Sequence, residues 1–325
     1  GELLFTILSS LAQDESRSIS ENCQWGIRSL FKRGVQHINT NRFYGYDSDE
    51  HGKLIINEEQ AKVVKWIFES FMEGYNPDVI VKILNEEEIP TCMGGNKWTC
   101  SQIKNMLRNE KHMGDSILQK TYTPDYLTHK SVKNNGQLPK YHIKEDHEAI
   151  VSPELWQAVQ LELDRRKKYM ESHSLKTMGQ YTDENPFSHR VICGYCNHTM
   201  SRRTHSRLNG KIKVWQCGQY YAKKGEHLCS SRTLKENILY DAFDLAWEKM
   251  CLDRKNKKKQ WRKMVQEGNP LEAYRGEQFL RLTLSESRTK TGKILISAVL
   301  DHCIYETNGN LTFCFLDGSM IQIEL

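Results

Sequence analysis

Residues 191–221, "VICGYCNHTMSRRTHSRLNGKIKVWQCGQYY", decide how the second half of this chain folds. Cys193-x2-Cys196 puts two thiols on one tight knuckle, and Cys217 and Cys229 follow after 20 and 11 intervening residues. Four soft ligands are what a structural tetrahedral zinc needs, and none of its positions is left open for catalysis. Asn209-Gly210 lies between two strand-like runs and signals a hairpin. So small a hairpin buries little apolar surface, so metal binding has to supply folding free energy that packing cannot. His227 competes with Cys229 for the fourth position and His198 competes more weakly; ligand type favours Cys229. The six other cysteines sit among apolar neighbours, where buried packing is the default.

The hairpin is also basic. Arg202, Arg203, Arg207, Lys211 and Lys213 fall on it, and Lys223 and Lys224 follow. This distribution says more than the totals do. The 46 Lys and Arg against 41 Asp and Glu leave a net charge of +5, too mild to single out a polyanion partner. At 325 residues the chain has room for about two domains. No apolar run approaches the ~18 residues that cross a bilayer, and no signal-peptide pattern opens the chain. The expectation is a soluble, intracellular protein with reduced thiols.

Upstream, the chain reads mainly as helix. Leu3, Leu4, Ile7, Leu8 and Leu11, then Ile19, Cys23, Ile27, Leu30 and Phe31, carry one apolar stripe until Gly34. Its leucine-rich first half suits a partner subunit or a domain outside this chain, or else packs on later segments. "NTNRFYGYDSDEHG" (39–52) reads as an extended linker ending in a turn. "NEEQAKVVKWIFESFMEG" (57–74) opens with an Asn57/Gln60 capping box. "NPDVIVKILNEEE" (76–88) has Asn76 and Pro77 as N-cap and first helical residue. "TCSQIKNMLRN" (99–109) opens with a Thr99/Gln102 box. Strands follow in "DSILQKTY" and "KYHIKEDHEAIV", then a helix from Ser152-Pro153 with Trp156, Val159 and Leu163 inward. Residues from about 167 to 188 read as helix end and linker. A helix over about 233–250 precedes "RKNKKKQWRK" (254–263), and "CIYETNGNLTFCFLDGSMIQIEL" (303–325) reads as three strands turned at Asn308-Gly309 and Asp317-Gly318.

Within 99–109 the inward face is Ile103, Met106 and Leu107, while Ser101, Gln102, Lys104, Asn105 and Arg108 point outward. That outward set suits base edges and phosphates, with the preceding helix as a brace, although the 86–98 connection is longer than a usual helix-turn-helix turn. Asn41 and Arg42 suit an extended arm along a groove. A lysine run such as 254–263 is more often a solvated loop than a further contact.

In their order along the chain these segments resemble the large serine recombinases, in the part that follows the catalytic domain. "LAQDESRSISENCQWGIR" is similar to the long dimer-interface helix, and "FYGYD" with "LIINEEQAKVVKWIFESF" to the start of the recombinase domain. "WTCSQIKNMLRNEKHMG" and "HEAIVSPELWQAVQLELDRR" are similar to its later landmarks, and "CGYCNHTM" with Cys217 and Cys229 to the zinc ribbon.

The resemblance implies a multidomain α+β protein: a linking helix over 1–34, a recombinase DNA-binding domain over 35–170, a linker over 171–188 and a zinc-ribbon domain over 189–325. It implies a structural Zn2+ on Cys193, Cys196, Cys217 and Cys229, and double-stranded attachment-site DNA as partner. Thr99 to Arg108 would lie in the major groove, Asn39 to Tyr44 along a groove, and the hairpin would read the outer part of a half-site. Dimers or tetramers are expected of the full-length protein, with a cytoplasmic, bacterial or phage-encoded setting and site-specific integration or excision as the activity. No residue matches the family's nucleophilic serine. Glu21 falls on an acidic family position, but Asn22 stands where arginine is frequent, so neither is given a catalytic role. The family's coiled-coil insertion should be short or missing between Met250 and Lys290, where no heptads run. The competing reading is a zinc-dependent transcriptional regulator.

Overall fold

A computed structural model describes the chain except for residues 36–39, 96, 176–184, 208–209, 222–228 and 285–291, and except for the side chains of Asn41, Arg207 and Tyr221. In chain order the elements are helix α1 (Glu2–Lys32), strands β1 (Tyr46–Ser48) and β2 (Leu54–Ile56), and helices α2 (Glu58–Met72), α3 (Pro77–Glu86) and α4 (Cys100–Arg108). Strands β3 (Ser116–Leu118), β4 (Thr121–Tyr122), β5 (Val132–Lys133) and β6 (Tyr141–Ile143) lead into helix α5 (Pro153–Ser172). Strands β7 (Val191–Cys193), β8 (Met200–Arg207), β9 (Gly210–Cys217) and β10 (Leu234–Lys235) follow. Helices α6 (Glu236–Leu252), α7 (Arg254–Glu267), α8 (Pro270–Leu282) and α9 (Lys293–Val299) precede strands β11 (Leu300–Tyr305), β12 (Leu311–Phe315) and β13 (Met320–Ile323).

These elements form two compact units, residues 1–64 with 109–152 and residues 65–108 with 153–325. The first unit contains three small antiparallel pairs (β1–β2, β3–β6, β4–β5) and an aromatic centre in which Tyr46 meets Phe43, His112 and His147. Helix α1 buries none of its residues; Leu3, Leu4, Phe5, Leu8 and Leu11 are all exposed. The stretch 39–52, expected as an open linker, is folded inward from Phe43 on. Phe43, Tyr44 and Tyr46 are buried, and the Tyr46 ring stacks on Phe43 with centroids 5.1 Å apart. Tyr46 Oη lies 2.8 Å from the Glu148 carbonyl and 3.1 Å from that of Lys111 and has one proton to donate between them, so a polar tip is satisfied inside an apolar site. Gly45 is required here: its φ is +102°, and a Cβ would lie 2.7 Å from Ile150 Cδ1.

Tertiary contacts also redirect the expected caps. Asn57 Oδ1 accepts from Gln60 N–H as a cap should, but Gln60 Oε1 accepts from Gly45 N–H at 2.8 Å instead of closing the box. Asn76 is the N-cap of α3 without a side-chain cap bond, because its Oδ1 accepts from Arg166 Nη1. Of the caps read from the sequence, Thr99 and Gln102 form the reciprocal box.

In the second unit β7 joins the three C-terminal strands in a four-stranded sheet, order β13-β12-β11-β7, with β7 parallel to β11. The second sheet is β10-β9-β8. The core holds Phe187, Trp215, Phe243, Trp261, Phe279 and Phe313, with Phe243 meeting Phe313 edge-on at 5.7 Å. Residues 250–284, expected without sustained heptads, form a helical hairpin: α7 and α8 pack together around Trp261 and Gly276, where a Cβ would lie 2.6 Å from the Trp261 carbonyl. The lysine run is therefore helix, not loop. Among the described residues no helix is long and apolar enough to cross a membrane.

Candidate metal centre and nucleic-acid interface

The knuckle after β7 supplies Cys193 and Cys196, the end of β9 supplies Cys217, and the chain before β10 supplies Cys229. All four Sγ atoms lie within 4.8 Å of one another. Cys193 and Cys229 are 3.6 Å apart and Cys196 and Cys217 3.3 Å. Both are too long for a disulfide of ~2.05 Å and close to the ~3.8 Å between thiolates bound tetrahedrally at ~2.3 Å from one metal. Burial by itself pushes the Cys193 thiol up, but hydrogen bonds from the Ser231 hydroxyl and from the backbone N–H groups of Tyr195 and Cys196 outweigh it and lower its pKa. Burial raises Cys217 and Cys229. A cation in their midst would replace those protons. The set can hold a metal ion. His198 is not in it: it is exposed and its Nδ1 lies 3.0 Å from the Cys196 carbonyl. His227 lies outside the described residues.

The β8–β9 hairpin rises from this centre. Its register pairs Arg202 with Trp215, Thr204 with Lys213 and Ser206 with Lys211. Directly paired residues share a face, so Arg202, Lys211 and Lys213 stand on one side while Arg203 stands on the other. The basic cluster of the sequence is thus divided between two faces. Arg202 is further withdrawn by an ion pair with Glu236 at 2.7 Å, whereas Lys211 and Lys213 are exposed.

Helices α3 and α4 pack together as the apolar pattern requires, and Ile80, Leu84, Ile103, Met106 and Leu107 are all buried. The long connection between them is clamped at its ends. Asn85 Oδ1 accepts from Trp98 N–H (2.7 Å), Asn85 Nδ2 donates back to the Trp98 carbonyl (3.3 Å), and Trp98 Nε1 donates to the Ile89 carbonyl (2.9 Å). Cys100 Sγ donates to Asp78 Oδ1 at 2.6 Å, tying the start of α4 to the start of α3. Sequence reasoning missed Asn85 and Trp98; an Asn near a helix end and a lone buried Trp before a cap were the available signals.

On the outer face Ser101, Lys104, Asn105 and Arg108 are exposed. Thr99 and Gln102, expected among the base-reading residues, are engaged otherwise: Gln102 Oε1 accepts from Thr99 N–H and Thr99 Oγ1, so both act as the cap. Arg42 is exposed; Tyr44, expected on the groove-facing arm, is buried because the chain turns into the aromatic centre. Asn39 and the side chains of Asn41 and Arg207 lie outside the described residues.

Two family models match along the chain: the Recombinase model over residues 58–166 and the Recombinase zinc beta ribbon domain over 186–248. The first takes in the α2–α5 helices, the second the four-cysteine centre and its hairpin. The chain therefore carries, in this order, a segment of the Recombinase family and a segment matching the recombinase zinc beta ribbon domain. A Bacillus subtilis (strain 168) protein described as "Putative DNA recombinase" is 25% identical over 252 residues, 74% of this chain and 48% of that protein. The chain thus spans about half the length of the curated relative it matches. A solved structure described as a crystal structure of an LSR–DNA complex matches with a TM-score of 0.50 at 16% identity, covering 91% of this chain and 97% of that one. Another, from work on the sequence requirements of the Listeria innocua prophage attP site, matches with a TM-score of 0.48 at 18% identity, covering 91% and 100%.

Proposed function

We propose that this chain is the DNA-binding part of a large serine recombinase and recognises attachment-site duplex in site-specific integration and excision. The observation that carries the reading is α4: its apolar side is sealed against α3, its connection is clamped by Asn85 and Trp98, and Ser101, Lys104, Asn105 and Arg108 stand free on its outer face. A rigid helix presenting one Arg, one Asn and one Lys is equipped to read base edges while holding phosphate. Lys211 and Lys213 on the ribbon hairpin supply a second, purely cationic contact.

The metal in this reading is a structural Zn2+ on Cys193, Cys196, Cys217 and Cys229. Four thiolates close its coordination shell, so it holds the ribbon's shape and takes no part in bond breaking. The exposed leucines of α1 fit a further domain or subunit of the full-length recombinase, where the nucleophilic serine would reside. Neither matched domain favours the competing reading, a transcriptional regulator.

The test is selection of bound duplexes from a random library by the zinc-loaded chain, repeated over a salt series. Convergence on one long asymmetric site is expected. Salt-sensitive retention without convergence would remove the sequence-reading role of α4.

A further inference from the structure

Helix α7 carries seven of the chain's basic residues in its first ten positions, and a single acid, Glu267, in its whole length. It is held rigidly by its inner side. Trp261 is fully buried and its Nε1 donates to Asp317 Oδ2 at 2.8 Å; Gln260 Nε2 donates to the Asp317 carbonyl and Lys257 Nζ to Ser319 Oγ. Arg254 Nε donates to Thr283 Oγ1, and Lys263 pairs with Glu267. Those contacts use Arg254, Lys257 and Lys263. The other four, Lys255, Lys258, Lys259 and Arg262, fall within about a 100° arc of the helix and span ~10 Å along its axis. Among the described residues none of them has an ion pair or side-chain hydrogen bond.

This arrangement works against the helix itself. Cations crowd the end where the macrodipole is positive; the first turn holds no acid, and Asp253 at the N-cap makes no side-chain cap bond and accepts from Asn256. Like charges at i, i+3 and i+4 repel each other as well. An ordinary solvated helix face mixes signs; this one is a fixed, single-sign stripe, complementary to a rod of regularly spaced negative charge.

We infer that the outer face of α7 is a second, sequence-independent phosphate clamp for duplex DNA, beyond the α4 reader and the ribbon hairpin. The inference rests on the DNA-binding reading above. Duplex DNA offers about one negative charge per 1.7 Å of its axis, so a ~10 Å stripe of four cations meets several phosphates at once. The clamp contributes affinity and salt dependence, and no selectivity, because lysines on phosphate read no base edge.

The experiment compares the zinc-loaded chain with a fourfold variant, Lys255→Gln, Lys258→Gln, Lys259→Gln and Arg262→Gln. Affinity is measured over a salt series for the selected duplex and for a scrambled duplex of equal length. A control variant with Lys130, Lys140, Lys144 and Lys168 each changed to Gln has the same net charge. For the α7 variant, affinity for both duplexes should fall by the same factor, at least about tenfold near 100 mM salt, and the slope of log K against log salt should shrink by about 2–4. Its thermal midpoint should be equal or higher, since repulsion within α7 is relieved. An unchanged slope, or an equal loss in the control variant, would overturn the assignment to α7. Failure of the unaltered chain to bind any duplex would instead sink the DNA-binding reading and this one with it.

Discussion

Arg275 on α8 donates from Nη2 to Glu162 Oε2 on α5 at 2.7 Å, linking two helices 113 residues apart in the chain. Glu162 is buried and is also held by Arg165 and by Arg166, whose Nε lies 2.6 Å from Oε1. Arg165 in turn pairs with Asp301, and Asp301 accepts from His302. One carboxylate facing three guanidinium groups is thus the centre of a network joining α5, α8 and β11. A buried charge is tolerated only when so paired.

Glu162→Gln removes that charge and leaves Arg166 and Arg275 uncompensated. Stability should fall by about 3–5 kcal/mol, read as a lower urea midpoint of the zinc-loaded chain. Replacing Glu162 and Arg275 together by Leu should cost less than either single change. Additive costs would show that the pair is not coupled.

Two opposite pH dependences belong to this network. Burial opposes ionisation of Glu162, but the charges of Arg166 and Arg165 prevail and hold its pKa well below the unfolded value of 4.5. Its contribution is therefore fully present above about pH 4.5 and is lost as the pH falls through the lower folded value. The His302 pKa is raised to about 9, first by its hydrogen bond to Asp301. That contribution is complete below the unfolded value of 6.5 and is lost as the pH rises through 9. Stability curves of His302→Gln and the parent should converge above pH 9; a constant offset up to pH 10 would contradict the assignment.

Cys217→Ser should abolish stoichiometric zinc and the cooperative unfolding of the ribbon, whereas His198→Ala should leave both intact. Metal content by elemental analysis, with a chelator titration followed by circular dichroism, reads the difference. Zinc retained at full stoichiometry in Cys217→Ser would remove that thiol from the ligand set.

Asn85→Ala deletes both side-chain bonds to the Trp98 backbone and leaves a buried N–H without its partner. A loss of about 1–3 kcal/mol is expected. Because the clamp sets the α3–α4 geometry, affinity for the selected duplex should fall more than affinity for a scrambled one.

Arg108→Ala should cost about 1–3 kcal/mol on the selected duplex and relax specificity at one position, while Lys213→Ala should weaken all duplexes alike. Equal behaviour of the two variants in a competition series would refute the division of labour between α4 and the hairpin.

Much was legible in local pattern. The four-thiol set, the inward faces of α3 and α4, the Thr99 cap and the two C-terminal turns each depend on residues close in sequence, where spacing and turn chemistry act directly. The inward course of Phe43–Tyr46 is not legible in local pattern, because its polar, turn-rich neighbours outnumber the three aromatics that are buried there. The hairpin's basic residues were counted correctly, but their separation onto two faces needed the register with β9.

By itself the sequence determined which residues could ligate a metal, which helix faces were apolar, and the order of segments that resembles a large serine recombinase. Tertiary structure alone decided where polar side chains spend their hydrogen bonds. Gln60 turns to Gly45, Asn76 to Arg166, Arg202 to Glu236 and Trp261 to Asp317. Only contacts between distant segments establish which donors and acceptors are buried, and a buried polar group must find a partner wherever the fold provides one.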